Sequence, residues 1–267
     1  MTMRCFPAVA AVFVALSAGL SAQWTDHPTP GIPRTPTGQA NLTAPAPKMR
    51  DGRTDLSGVW RPLLDPNVKG TNGELLPRYF VSITGDVKPD DAPFRPDAAA
   101  RFRERLGLDG KDDPTSYCHP VGVPAVNTVP LPYKIIMTPR AIVILYEADT
   151  TFRQIFTDGR TLPADPLPSW MGYSVGHWEK GELVVETIGL NDLSWLDRIG
   201  HSHSADLRVV ERFRRRDFGH MDIQVTIDDP KTYTRPITFT QPQTLLADTD
   251  LLEYFCTDNE QDTAHFK

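Results

Sequence analysis

Tyr173-Ser174-Val175-Gly176-His177-Trp178-Glu179-Lys180-Gly181-Glu182-Leu183-Val184-Val185-Glu186-Thr187-Ile188 is the stretch on which the reading of the fold turns. Two runs rich in β-branched and aromatic residues flank Lys180-Gly181, a two-residue connection of hairpin length. A second pair of runs meets at Phe218-Gly219. Working outward, short β-type runs separated by turn residues occupy 134–138, 141–147, 152–157, 173–179, 182–188, 207–215, 220–228, 235–241 and 251–256. Sequential hairpins build an antiparallel up-and-down meander. So many strands must close or stack to hide their edges, and a closed barrel is the expectation.

Upstream of Pro132 the pattern changes. Residues 61–132 are loop-rich and broken by prolines, a wrapping layer with one short helix. That helix is expected from about Pro96 to Leu106, because Pro96 suits a first helical turn and Gly107 a stop. Residues 23–53 are dense in Pro, Thr, Gly and Ala, and read as a flexible or extended leader. At the start, Arg4 precedes an uncharged apolar run over 6–20, too short to span a bilayer and suited to a signal peptide. Cleavage is expected after Ala22. The organisation is then signal 1–22, leader 23–53 and one barrel domain over 54–267, with no transmembrane segment left and a periplasmic or secreted location.

Ser57-Gly58-Val59-Trp60 resembles the G-x-W of the first strand in lipocalin-like barrels. The resemblance implies a tryptophan closing the barrel floor and an interior that holds one small ligand. From about 55 to 262 the chain also resembles a group of secreted bacterial proteins of undefined function. The segments carrying this are Asp55-Leu56-Ser57-Gly58-Val59-Trp60, Gly172-Tyr173-Ser174-Val175-Gly176-His177-Trp178-Glu179 and Gly200-His201-Ser202-His203-Ser204. It brings no activity with it.

The formal charge of -6 argues against a nucleic-acid partner. The run Arg212, Arg214, Arg215, Arg216 reads as a solvated strand end before the turn at Asp217. Of three cysteines, Cys5 leaves with the signal, and Cys118 and Cys256 are expected to form a disulfide worth ~3–5 kcal/mol in the entropic view. There is no G-x-S-x-G, Walker loop, G-x-G-x-x-G, H-E-x-x-H or C-x-x-C-H, which removes the serine-hydrolase, nucleotide-dependent, zincin and haem readings tied to them.

Chemistry concentrates in residues 201–213. In an unbroken strand His201, His203, Leu207, Val209, Glu211 and Phe213 share a face, and the apolar members mark it as buried. Glu211 is thus expected as a carboxylate among apolar neighbours, with the two histidines toward the mouth. A bulge between His203 and Leu207 reverses the histidines. Three readings stand open. In the first, His201 or His203 is a general base oriented by Glu211, with Arg153 or Arg160 binding a substrate anion. In the second, Glu211 pairs structurally with Arg153 or Arg160 while the histidines hold a loop. In the third, His201, His203 and Glu211 hold a divalent metal, with His220 or His177 in reserve.

Other residues are weighed beside these. Asp158 reads first as a turn residue and second as a rim acid next to Arg160. Trp195, in the loop with Asn191, Asp192 and Asp197, is a lid over a ligand or a packing residue. His177 and Trp178 lie on opposite faces of one strand, so only one points inward. The leading expectation is an exported cavity protein acting on a small organic molecule as a lyase, isomerase or hydrolase, with no cofactor. A lipocalin-type carrier, a metal enzyme and a packed structural barrel are the alternatives.

Overall fold

The alternating runs beyond Pro132 become strands because each buries every second side chain, and all but the last do so. The structure, a computed structural model, describes residues 28–256 except 86, 89, 90 and 109; the expected signal peptide lies outside the described residues. In chain order the elements are β1 Gly58–Pro62, β2 Asp65–Lys69, β3 Leu75–Leu76, α1 Arg78–Val81, α2 Pro96–Leu108, β4 Tyr133–Met137, β5 Ala141–Tyr146 and β6 Phe152–Phe156. There follow β7 Tyr173–Glu179, β8 Glu182–Ile188, β9 Arg208–Arg215, β10 His220–Asp228 and β11 Ile237–Leu245. Nine strands close into a barrel in the order β1-β11-β10-β9-β8-β7-β6-β5-β4, with β4 returning to β1, while β2 and β3 form a separate ribbon. Among the described residues no helix is long and apolar enough to cross a membrane.

The purely antiparallel meander needs one correction. Nine is odd, so strand directions cannot alternate all the way round a closed barrel. The exception is β6 with β7, which pair parallel through Ile155–Ser174 and Phe156–Val175. A parallel neighbour requires a long crossover, and the proline-rich segment 157–172 supplies it.

Two strand boundaries also differ from expectation. Residues 251–256 form no strand; their backbone bonds side chains instead, Leu252 N–H donating to Glu147 Oε1 at 2.8 Å. The β11 strand runs past Pro242, where the sequence suggests a stop. The Pro242 carbonyl accepts from Leu63 N–H at 2.8 Å, just beyond the end of β1. A proline's missing N–H lies on that same side, so the ladder to β10 loses nothing.

The barrel core contains Ile135, Ile144, Ile155, Leu183, Val185, Val209, Phe213, Ile223 and Val225, all nearly inaccessible. Each such side chain contributes roughly 1.5–3 kcal/mol on burial. Trp60 is fully buried, donates from Nε1 to Leu56 O at 3.0 Å, and lies under Arg215, whose guanidinium is 4.8 Å from the ring centroid. Arg215 also donates to the carbonyls of Asp55, at 2.7 Å, and of Phe218. It is therefore an interior pin, not part of a solvated strand end. Gly58, the glycine of G-x-W, has φ of +140°, and a Cβ there would meet Leu245 Cδ1 at 2.6 Å.

Residues 28–53, read from composition as a flexible leader, lie along this end of the barrel. Leu42 and Ala44 carbonyls accept from Gly219 and Phe218 N–H at 2.7 Å each, and Arg34 pairs with Asp248. Cys118 and Cys256 form the disulfide, 138 residues apart.

Candidate functional site

Inside the barrel the parity reading of β9 holds: Val209, Glu211 and Phe213 all point inward and are buried. Glu211 has no exposure, and its two oxygens take different partners. Asn127 Nδ2 donates to Oε1 at 2.6 Å and Arg153 Nη2 to Oε2 at 2.5 Å. Arg153, from β6, also donates to Ser174 Oγ on β7 at 3.1 Å and Thr187 Oγ1 on β8 at 2.8 Å. Tyr146 OH donates to Asn127 Oδ1 at 2.8 Å. Burial works against the Arg153 charge, but Glu211 and Tyr146 beside it together more than offset this and leave the guanidinium above its ordinary pKa. Ser174, Thr187 and Tyr146 sit at inward strand positions, so parity alone could have found them. Asn127 comes from the turn Ala125–Asn127 and carried no sequence signal.

The histidines stand elsewhere. The β9 strand begins at Arg208, and a turn at Ala205-Asp206 separates it from residues 201–204, so the shared strand face stops at Leu207. Both histidines belong to the loop 189–207 at the start of β9, opposite the Trp60 end. His201 packs between Phe94 and Phe102, with ring centroids 5.2 and 4.5 Å away, and its Nδ1 lies 2.5 Å from Asp197 Oδ2. The same Asp197 carboxylate accepts from the N–H of Ile83 at 2.7 Å, His201 at 3.1 Å and Ile199 at 3.2 Å. Asp197 thus anchors the loop, and His201 fills the aromatic slot beside it.

His203 has a different environment. Its Nδ1 is 3.0 Å from the Ser204 carbonyl and its Nε2 is 3.0 Å from Ser194 Oγ. A carbonyl only accepts, so the proton belongs on Nδ1, and Nε2 is left to accept from the Ser194 hydroxyl. Burial holds the His203 pKa below the ordinary imidazole value; Ser204, Asp229 and Asp192 oppose the shift and Arg105 adds to it. The ring is therefore neutral at neutral pH. The Ser204 peptide is itself fixed, since its N–H and hydroxyl donate to Asp229 at 2.6 and 2.8 Å. Burial works to raise the Asp229 carboxyl, but these bonds and that of Thr232 hold it below the usual range.

Ser194 forms part of the wall of a cavity of about 200 Å³ at this end of the barrel. Phe80, Val121, Val129, Leu131 and Trp195 give it carbon walls. Asp113, Asp149, Asp197 and Arg198 supply its charged groups, and Arg198 donates to Asp113 at 2.8 Å. Tyr254 and Cys256 place the C-terminal segment on one side, held by the disulfide. Ala125 also lines it, two residues from Asn127, so one short turn separates the cavity from the interior network.

The sequence-based candidates divide accordingly. Glu211 and Arg153 form the buried pair of the second reading. Trp195 lines the cavity, stacked under Arg105 at 5.1 Å, and His203 stands behind the wall, joined to it through Ser194. Asp158 and Arg160 pair with each other at 2.7 Å on the surface, where Arg160 also reaches Tyr173 OH at 3.0 Å. His177 is exposed on β7, whereas Trp178 packs against the core. His220 is 2.7 Å from Asp217 in its hairpin. Among the described residues no three His, Cys, Asp or Glu side chains are grouped to hold a metal, so the set His201, His203 and Glu211 is not assembled. Sequence reasoning missed Ser194 and placed Asp197 only in the loop with Trp195, because an irregular loop has no period to reveal which side chains meet.

The fold and this site define a closed nine-stranded mixed β-barrel with a small cavity at one end. Compared with family models, curated proteins and solved structures, the chain finds no match.

Proposed function

We propose that the protein binds a small, mainly apolar organic molecule in the barrel-end cavity and acts on it by cofactor-independent acid–base chemistry, with His203 as the base. The observation that carries this is the buried, neutral His203 imidazole, locked through Nδ1 to the Ser204 carbonyl and directed through Nε2 at Ser194 on the cavity wall. A base held in one tautomer and joined to a hydroxyl at a cavity meets the geometric requirement for proton transfer. Glu211, expected to orient the base, is committed to Arg153 and Asn127; the Ser204 carbonyl takes that role. The disulfide supports an exported location, since such bonds persist in oxidising compartments.

The carbon walls favour a second reading, a carrier that holds its ligand unchanged. One experiment separates the two. Small esters, lactones and ketones are titrated against the tryptophan fluorescence of the protein, and each binder is incubated and followed by mass spectrometry. Binding with turnover that disappears in His203→Ala supports the acid–base reading. Binding without turnover selects the carrier, and no binding at all overturns both.

A further inference from the structure

The acid–base reading leaves open what the base acts on, and the hydroxyl beside it narrows the choice. Resting on that reading, we infer that Ser194 is a nucleophile and that the cavity takes a small carboxylic ester. The activated-nucleophile arrangement needs a hydroxyl within hydrogen-bond reach of a base, and a third group that orients the base. Ser194, His203 and the Ser204 carbonyl supply these in sequence at 3.0 Å each. Asp229 holds the Ser204 peptide from behind. On the other side, Gly122 has φ of +77°, and a Cβ there would stand 3.1 Å from Ser194 Oγ. Glycine thus lets the backbone approach the hydroxyl closely. The missing G-x-S-x-G excludes only a nucleophile elbow on a strand-to-helix turn, because such constellations are defined by geometry and not by chain order.

In the reaction, Ser194 Oγ bonds to the ester carbonyl carbon as its proton passes to His203 Nε2. The carbon–oxygen bond to the leaving alcohol breaks and that alcohol takes the proton from Nε2. Water then attacks the acyl-serine, giving its proton to His203, and the carboxylic acid departs as Ser194 recovers its proton.

The test treats the full mature chain with phenylmethanesulfonyl fluoride and with a small fluorophosphonate, reading intact mass and mapping the modified peptide. One adduct per chain on Ser194 is expected, absent in Ser194→Ala and formed at least ~100-fold more slowly in His203→Gln. Hydrolysis of 4-nitrophenyl acetate should show a burst of one equivalent in the unmodified protein and none in Ser194→Ala. Near-UV circular dichroism checks folding. Should Ser194→Ala fail to fold, Ser194→Cys replaces it, and alkylation of that thiol must then depend on His203. An adduct on another residue, equal labelling rates with and without His203, or no adduct overturns the nucleophile. His203-dependent turnover of a ligand without Ser194 labelling removes the nucleophile and leaves the acid–base reading intact.

Discussion

Two buried clusters of polar and ionisable groups stand on either side of the Ala125–Asn127 turn, and they are built on opposite principles. In the barrel interior, Glu211 meets Arg153 and Asn127 with essentially no solvent contact, and every member projects from a strand or from that turn. At the barrel end, Ser194 and His203 come from an irregular loop and one of them borders a cavity. In the interior pair each carboxylate oxygen accepts from a neighbouring side chain, and neither Glu211 nor Arg153 lines the cavity. The loop pair holds a single proton between two atoms beside such a space. Burial of an ionisable group is thus not by itself a sign of chemistry; what its remaining bonds face decides the matter.

Removing Glu211 should have the largest effect of any single change in the two clusters. Glu211→Ala leaves Arg153 charged, buried and unpaired, and is expected to cost about 3–5 kcal/mol by urea unfolding. A paired Arg153→Met, Glu211→Leu variant should recover most of that loss; failure to recover would show the network does more than hold the barrel. Next in size is Asp197→Ala, which orphans the buried N–H groups of Ile83 and His201 and the half-buried one of Ile199. About 3 kcal/mol of destabilisation is expected, with hydrogen exchange rising first in residues 195–201.

A smaller effect separates the two regions by pH. The depressed pKa of His203 means that below about pH 6.5 the unfolded chain takes up a proton the folded chain refuses. Stability contributed by His203 is thus present at neutral pH and is lost as pH falls through 6.5 toward the folded value. Its slope is at most about 1.4 kcal/mol per pH unit. His203→Gln should flatten this part of the profile, while Arg153→Met, Glu211→Leu should leave it unchanged. The smallest effect is that of His177→Ala on the exposed face of β7, expected within about 0.5 kcal/mol and without influence on ligand binding.

Much of the barrel was legible because a strand has a period of two. The 173–188 hairpin and the inward direction of Glu211 follow from spacing and residue type, and the Cys118–Cys256 pairing from the expectation of an exported chain. The parallel pair β6–β7 was not legible, since the segment 157–172 reads only as loop, and neither was β11 beyond Pro242. At the site, the sequence offers Arg153 or Arg160 as a partner for Glu211 but carries no signal for the roles of Asn127 and Ser194. Extending the strand parity of β9 back to His201 failed because the turn at Ala205-Asp206 ends the alternation.

Local spacing along the chain dictates which face of each strand is buried, where hairpins close, and that a carboxylate lies inside the barrel, because those properties depend on neighbours a few residues apart. Tertiary structure alone decided that Glu211 belongs to Arg153 and His203 to Ser194. Those pairings join residues 58 and 9 positions apart, and they depend on barrel closure and on loop conformation, for which the chain carries no periodic signal.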